Sequence, residues 1–324
     1  MDVATRQDEP LLIDMPDNPQ PAGAVAGHVE TQDGIRLRYA RFAATGKPLR
    51  GTVIILHGRN ECIEKYYETI AELSAAGYEC ATFDWRGQGG SSRLLRDPFK
   101  GHVDDFGAYL TDLEQVFADV VLPDCRAPFH ILAHSTGALI ALLASDRMVN
   151  RIRRMVLASP LLELSHPPLA QRHIAVLARL LTMAGLGTMY MAGGKRPREI
   201  APFMGNKLTS DYDRYMRNGA LYHAHRELAL GGPTAGWVNA AVRAIEQASS
   251  PEFIAGLRIP ALLVAAGADQ IVPLSAVEEY GRRMRSGSCI TIDGARHEIM
   301  QEADAYRAPF MAATLAFFGS GPTG

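Results

Sequence analysis

The hydrophobic pattern of this chain changes period several times, and each change marks an element. Residues 25–30 and Arg36–Phe42 read as two strands joined by a turn at Asp33-Gly34. Apolar and polar residues alternate through Ile35-Arg36-Leu37-Arg38-Tyr39, as in a half-exposed antiparallel edge. Gly51–Leu56 runs Gly-Thr-Val-Ile-Ile-Leu with no alternation, which predicts a strand buried on both faces, as in a parallel sheet. A helical stretch over about 63–76 stops at Gly77, and Tyr78–Phe83 is the next buried run. Residues 106–121 have an amphipathic helical spacing, 129–133 are strand-like, 138–144 are helix-forming and 154–158 are again strand-like. This alternation predicts an α/β fold with a mostly parallel, doubly wound sheet.

The rhythm breaks after Pro160. From 161 to 251 the segments read as helical or irregular, with methionines and aromatics gathered there. The alternation resumes with Ala261–Ala266, a helix over about 274–285, a strand at 288–292 and a final helix over about 306–318. We therefore expect a flexible lead-in at 1–24, one sheet domain made of 25–160 and 252–324, and a helical lid inserted at 161–251. No internal repeat or low-complexity tract is visible.

Composition narrows the setting. The chain has 324 residues, 47% hydrophobic and 21% charged, which suits a globular domain with a sizeable core. A net charge of -2 gives no electrostatic case for a nucleic-acid partner. Cys62, Cys80, Cys125 and Cys289 are scattered without metal-ligand or redox spacing, and read as reduced thiols. Residues 1–21 are acidic and proline-containing with no continuous apolar core, so no secretory signal is expected there. The longest uncharged apolar stretch, 180–194, is interrupted by glycines and too short to span a bilayer comfortably. The expectation is a cytoplasmic protein, with peripheral contact at the inner membrane surface through the lid. Nothing in the pattern sets an oligomeric state.

The candidate chemistry centres on Ala133-His134-Ser135-Thr136-Gly137. A serine caught between a buried strand and a buried helix, with small residues two positions away on each side, is the pattern of a nucleophile elbow. The sharp turn lifts the serine oxygen clear of the sheet, and Ala133 and Gly137 let strand and helix pass closely. The plainer reading is a serine that caps a helix. A serine hydroxyl needs a base, usually a histidine oriented by a carboxylate. Asp269 follows the strand Ala261–Ala266 and His297 follows the last strand, so parallel strands ending at one edge would bring both to the serine. Asp293 is the competing acid, although Asp293-Gly294 also reads as a turn dipeptide. For an oxyanion, the expected donors are the backbone amides of Thr136, at a helix start, and Arg59, after the strand ending at Leu56.

Other candidates carry less. The glycine-rich loop 84–92 lacks the lysine of a phosphate loop, and its spacing does not fit a dinucleotide fingerprint. His223 and His225 have alternate spacing but no obvious partner ligand, so no metal is expected, and no cofactor is implied. His134 reads as packing beside the nucleophile, or as a side chain that supports the site without taking part in the chemistry.

At these residues the chain resembles the lysophospholipase and monoglyceride-lipase branch of the α/β-hydrolases. The resemblance covers about 50–160 and 260–300. It is most specific in Phe83-Asp84-Trp85-Arg86-Gly87-Gln88-Gly89, in Ser91-Ser92-Arg93-Leu94-Leu95-Arg96-Asp97-Pro98, in Lys100-Gly101-His102-Val103 and in Leu132-Ala133-His134-Ser135. It implies an α/β-hydrolase fold and a serine carboxylic-ester hydrolase acting on a monoacyl lipid or a smaller ester. Ala133 is common at its position in the family, whereas Thr136 stands where methionine is more usual. The insertion matches no motif. Its apolar residues, Met183, Met189 and Met191 among them, are expected to line an acyl pocket. Two rivals share the scaffold. A peptidase of the proline-iminopeptidase type would need an acidic anchor, for which Glu163, Glu199 and Glu227 are available. A non-catalytic binding protein would usually lack part of the triad.

Overall fold

The computed structural model describes residues 11–164, 171–195 and 202–320. Its eight strands form a single sheet: β1 (Ala24–Glu30), β2 (Arg36–Phe42), β3 (Gly51–Leu56), β4 (Tyr78–Phe83), β5 (Phe129–His134), β6 (Ile152–Ala158), β7 (Ala261–Ala266) and β8 (Gly287–Ile292). The order across the sheet is β1-β2-β4-β3-β5-β6-β7-β8. Only β1–β2 and β2–β4 pair antiparallel, and every later pair is parallel. The half-exposed hairpin and the parallel sheet expected from the sequence are both present.

The unbroken apolar runs have the predicted cause. In β3, Ile54 and Leu56 enter one core cluster while Val53 and Ile55 enter the cluster on the other face. β7 divides in the same way, with Leu263 and Ala265 on one side and Leu262 and Val264 on the other. Helices Gly107–Val116, Ser135–Leu143 and Leu274–Arg283 cover the first face, and Tyr67–Ala75 and Asp304–Gly319 cover the second.

Among the described residues between β6 and β7 there are helices but no strand. Helix Ala235–Ser249 lies in the segment expected as lid, yet Trp237, Val238, Ala240, Ala241, Ala244, Ile245 and Ala248 are buried in the main core. We therefore propose that the lid ends before Ala235. Helix Tyr212–Ala224 is fastened by charge. Arg214 bonds Glu68 on helix Tyr67–Ala75, Asp211 at its own N-cap and Asp304 at the start of the last helix.

The glycine-rich loop also has a structural cause. Asp84 is fully buried and ion-paired to Arg38, and it accepts hydrogen bonds from the amides of Gly90 (2.7 Å) and Ile63 (3.0 Å). Gly89 has φ +49° and a Cβ there would lie 2.2 Å from the Asp84 carboxyl carbon. The glycines let backbone wrap around a carboxylate rather than around a ligand phosphate.

Candidate active site

Strand β5 runs directly into helix Ser135–Leu143, so the turn between them has no spare residue. Ser135 absorbs the change of direction with φ +49°, a left-handed conformation unusual for a residue with a side chain. Gly137 makes the turn possible. A Cβ there would lie 2.3 Å from the Leu56 carbonyl oxygen and 2.6 Å from that of His57. Gly137→Ala should force helix Ser135–Leu143 away from β3 and cost about 1–3 kcal/mol by overpacking, read as a lower urea midpoint.

Ser135 Oγ lies 2.9 Å from His297 Nε2, and His297 Nδ1 lies 2.7 Å from Asp269 Oδ2. The other oxygen of Asp269 accepts from the amides of Ile271 (2.7 Å) and Val272 (3.0 Å), which fixes the carboxylate plane. Burial alone would push the Asp269 carboxyl up. The charge and hydrogen bond of His297, with those two amides, hold it below its ordinary value, so it is ionised at neutral pH. Asp293 is exposed on the β8 turn and makes no described contact with His297. The structure thus brings together Ser135, His297 and Asp269 from the ends of β5, β8 and β7.

The loop after β3 is held from several sides. Gly58 N–H donates to Glu61 Oε2 (2.5 Å), Asn60 N–H to Gln88 Oε1 (2.6 Å), and Leu230 N–H to Asn60 Oδ1 (2.6 Å). Asn60 itself has φ 62°. The Arg59 side chain donates to the Gly231 carbonyl (2.7 Å) with its guanidinium over the Trp237 ring. Thr136 is buried in the first turn of helix Ser135–Leu143, where a backbone N–H has no intrahelical acceptor and the helix dipole favours negative charge. The approach of Gly137 to Leu56 and His57 sets that first turn against the end of β3, beside the Arg59 loop.

A family model described as serine aminopeptidase, S33, matches residues 47–304, which span every element of this site. The chain belongs to that hydrolase family. Lysophospholipase L2 of Escherichia coli strain K12 is 33% identical over 298 residues, covering 88% of this chain and 85% of that protein. Among solved structures, a soluble variant of monoglyceride lipase from Saccharomyces cerevisiae has a TM-score of 0.72 at 19% identity, over 90% of this chain and 94% of that one. A monoacylglycerol lipase from Paleococcus ferrophilus has a TM-score of 0.69 at 21% identity, over 87% and 98%. The fold is that of the α/β-hydrolases, and the protein is an ester hydrolase.

The segment between β6 and β7 places the three methionines in different surroundings. Met183, at the end of helix Gln171–Met183, is 74% exposed and Met189 is 49% exposed. Met191 is half-buried against the main core, its amide bonded to the Pro233 carbonyl. No described contact joins any of them to Ser135. Val176, Leu177, Leu180 and Leu186 are exposed near Met183, so this part of the segment between β6 and β7 turns apolar side chains outward. Among the described residues no helix is long and apolar enough to cross a membrane. Of the acids that an aminopeptidase could use, Glu227 is exposed and faces His225, Glu163 is half-buried, and Glu199 lies outside the described residues. His223 is exposed, and no group of three or more candidate ligands gathers among the described residues.

Sequence reasoning missed a buried set of charges behind the hydrolase site. Lys65, 1% exposed, bridges Glu61 (3.1 Å) and Glu298 (2.7 Å). Glu61 also accepts from Tyr66 Oη (2.7 Å) and lies against His134. The available signal was the pair Glu61 and Lys65, spaced i,i+4 beside apolar residues that had to be buried.

Proposed function

We propose that the protein hydrolyses monoacyl lipids, lysophospholipids or monoacylglycerols, through an acyl-enzyme on Ser135. The observation that carries this reading is the hydrogen-bonded series Ser135–His297–Asp269 at a strained elbow. Ser135 Oγ attacks the ester carbonyl carbon while His297 Nε2 takes its proton. The backbone amides of Arg59 and Thr136 donate to the oxyanion. The carbon–oxygen bond to the alcohol breaks, and His297 returns the proton to that leaving oxygen. Water then attacks the acyl-enzyme with His297 as base, releasing the fatty acid and restoring Ser135. Asp269 stays ionised and holds His297 with its Nε2 free to accept.

The relatives named for lysophospholipid and monoglyceride substrates support a single-chain lipid. The outward apolar face of helix Gln171–Met183 supports peripheral contact with a lipid surface, where such substrates reside. We read Met189 and Met191 as part of the route by which the acyl chain enters. Each acyl methylene that leaves water contributes on the order of 0.8 kcal/mol. On p-nitrophenyl esters, kcat/KM should rise from acetate toward medium chains and then level off. Charged replacements of Met189 and Met191 should flatten the rise and spare acetate. A steady decline with chain length, or preference for aminoacyl-anilides, would contradict the lipid reading.

A further inference from the structure

His134 is buried beside the nucleophile, and each of its ring nitrogens faces an acceptor. Nδ1 lies 3.1 Å from Glu61 Oε1, and Nε2 lies 3.1 Å from the backbone carbonyl oxygen of His297. A carbonyl oxygen has no proton to give. Glu61 is held ionised: burial opposes its charge, but Lys65 and His134 overcome that and keep its carboxyl well below the ordinary value. A neutral imidazole carries a single N–H, so it would leave one of these contacts as lone pair against lone pair. We propose that His134 is a doubly protonated imidazolium that positions His297, donating from Nδ1 to Glu61 and from Nε2 to the His297 carbonyl. Only the importance of His297 rests on the ester-hydrolase reading; the charge state of His134 does not.

The surroundings agree. Glu61, Lys65 and Tyr66 face this region from the segment after β3, and His297 and Glu298 from the loop after β8. His57, just after β3, lies against Asp84 and also acts on the Glu61 carboxylate from farther off. Two carboxylates, one ammonium and one imidazolium sum to zero. A neutral His134 would leave a net negative charge buried among them, which is costly. The rings of His134 and His297 are 4.9 Å apart, so a displaced His134 shifts the base directly. Burial lowers the proton affinity of His134, but the Glu61 carboxylate outweighs it and holds the ring above the ordinary histidine value.

The sign of the pH dependence follows. Because the folded value is raised, both bonds are complete below the ordinary histidine value, and as pH rises through the raised one the ring keeps its N–H on the Glu61 carboxylate and loses the bond from Nε2 to the His297 carbonyl. Activity should therefore fall on the alkaline side, when the His297 carbonyl loses its donor. The test uses the whole chain labelled with ¹⁵N-histidine, together with His134→Gln. At neutral pH one buried ring, with a nuclear Overhauser contact to the Ser135 amide, should show both nitrogens protonated. A single protonated nitrogen on that ring would overturn the proposal. In His134→Gln, shown to be folded by circular dichroism, kcat should drop about tenfold to a hundredfold with KM within about twofold, because the base is misplaced rather than the substrate lost. The alkaline limb of the wild-type profile should vanish with it. A folded variant that keeps the wild-type kcat and alkaline limb would overturn the positioning role. Should the variant fail to fold, the wild-type spectrum decides. A wild type inactive on every ester would instead sink the ester-hydrolase reading, with the spectrum still deciding the charge of His134.

Discussion

Ser135→Ala is expected to lower kcat by about 10⁴-fold or more while the protein remains folded. The substitution removes the oxygen that we propose forms the acyl-enzyme. The described hydrogen bond of that oxygen is to His297, so little else is lost with it. KM for the ester should change far less than kcat, because the surface that binds the acyl chain is untouched. Steady-state kinetics on a p-nitrophenyl ester, with circular dichroism as the folding control, reads both. A Ser135→Ala protein with more than a few per cent of wild-type kcat would contradict the assignment of the nucleophile.

Asp269→Asn should cost activity on the same scale, by about 10⁴-fold, for a different reason. In the native site Asp269 Oδ1 accepts from the amides of Ile271 and Val272, and Oδ2 faces His297 Nδ1. An asparagine that keeps its oxygen on those amides turns its NH₂ toward His297. The imidazole must then accept at Nδ1 and carry its proton on Nε2, where it can no longer take the proton of Ser135. Asp293→Asn serves as the control, since Asp293 is exposed and makes no described contact with His297. Rates for the two variants measured side by side check this. Loss of activity in Asp293→Asn with retention in Asp269→Asn would reverse the acid assignment.

The parts of this fold that are legible in the sequence are those where one physical requirement acts alone. β3 and β7 are buried on both faces, and that demands an unbroken apolar run. The elbow demands a small residue at 137, because a Cβ there would strike the Leu56 and His57 carbonyls. Asp269 and His297 stand out because each follows directly on a buried strand. Helix Ala235–Ser249 was harder to place. Its core face is built largely of alanine, as the close approach to the nucleophile helix requires, and a run of alanines looks like any helix. Met183 and Met189 read as pocket lining in a linear string, and only the packing of helix Gln171–Met183 shows that its outer face is apolar and turned outward.

Charges were the least legible of all. Lys65, Glu61 and Glu298 are ordinary surface residue types, and their burial depends on finding one another from segments more than 230 residues apart, with 233 between Lys65 and Glu298. The same holds for Asp84, whose partner Arg38 lies on β2 and whose glycine-rich wrapping resembles a phosphate loop in one dimension. No local pattern records a long-range ion pair, so the support behind the site becomes visible only in three dimensions.

The most direct test of the account is covalent capture of the nucleophile. The wild-type protein is incubated with a fluorophosphonate and examined by intact-mass spectrometry, peptide mapping and residual ester hydrolysis. A single adduct is expected, located on Ser135, with activity lost in proportion to labelling and no adduct on Ser135→Ala. An adduct on a different serine, or full labelling of Ser135 with hydrolysis undiminished, would contradict it.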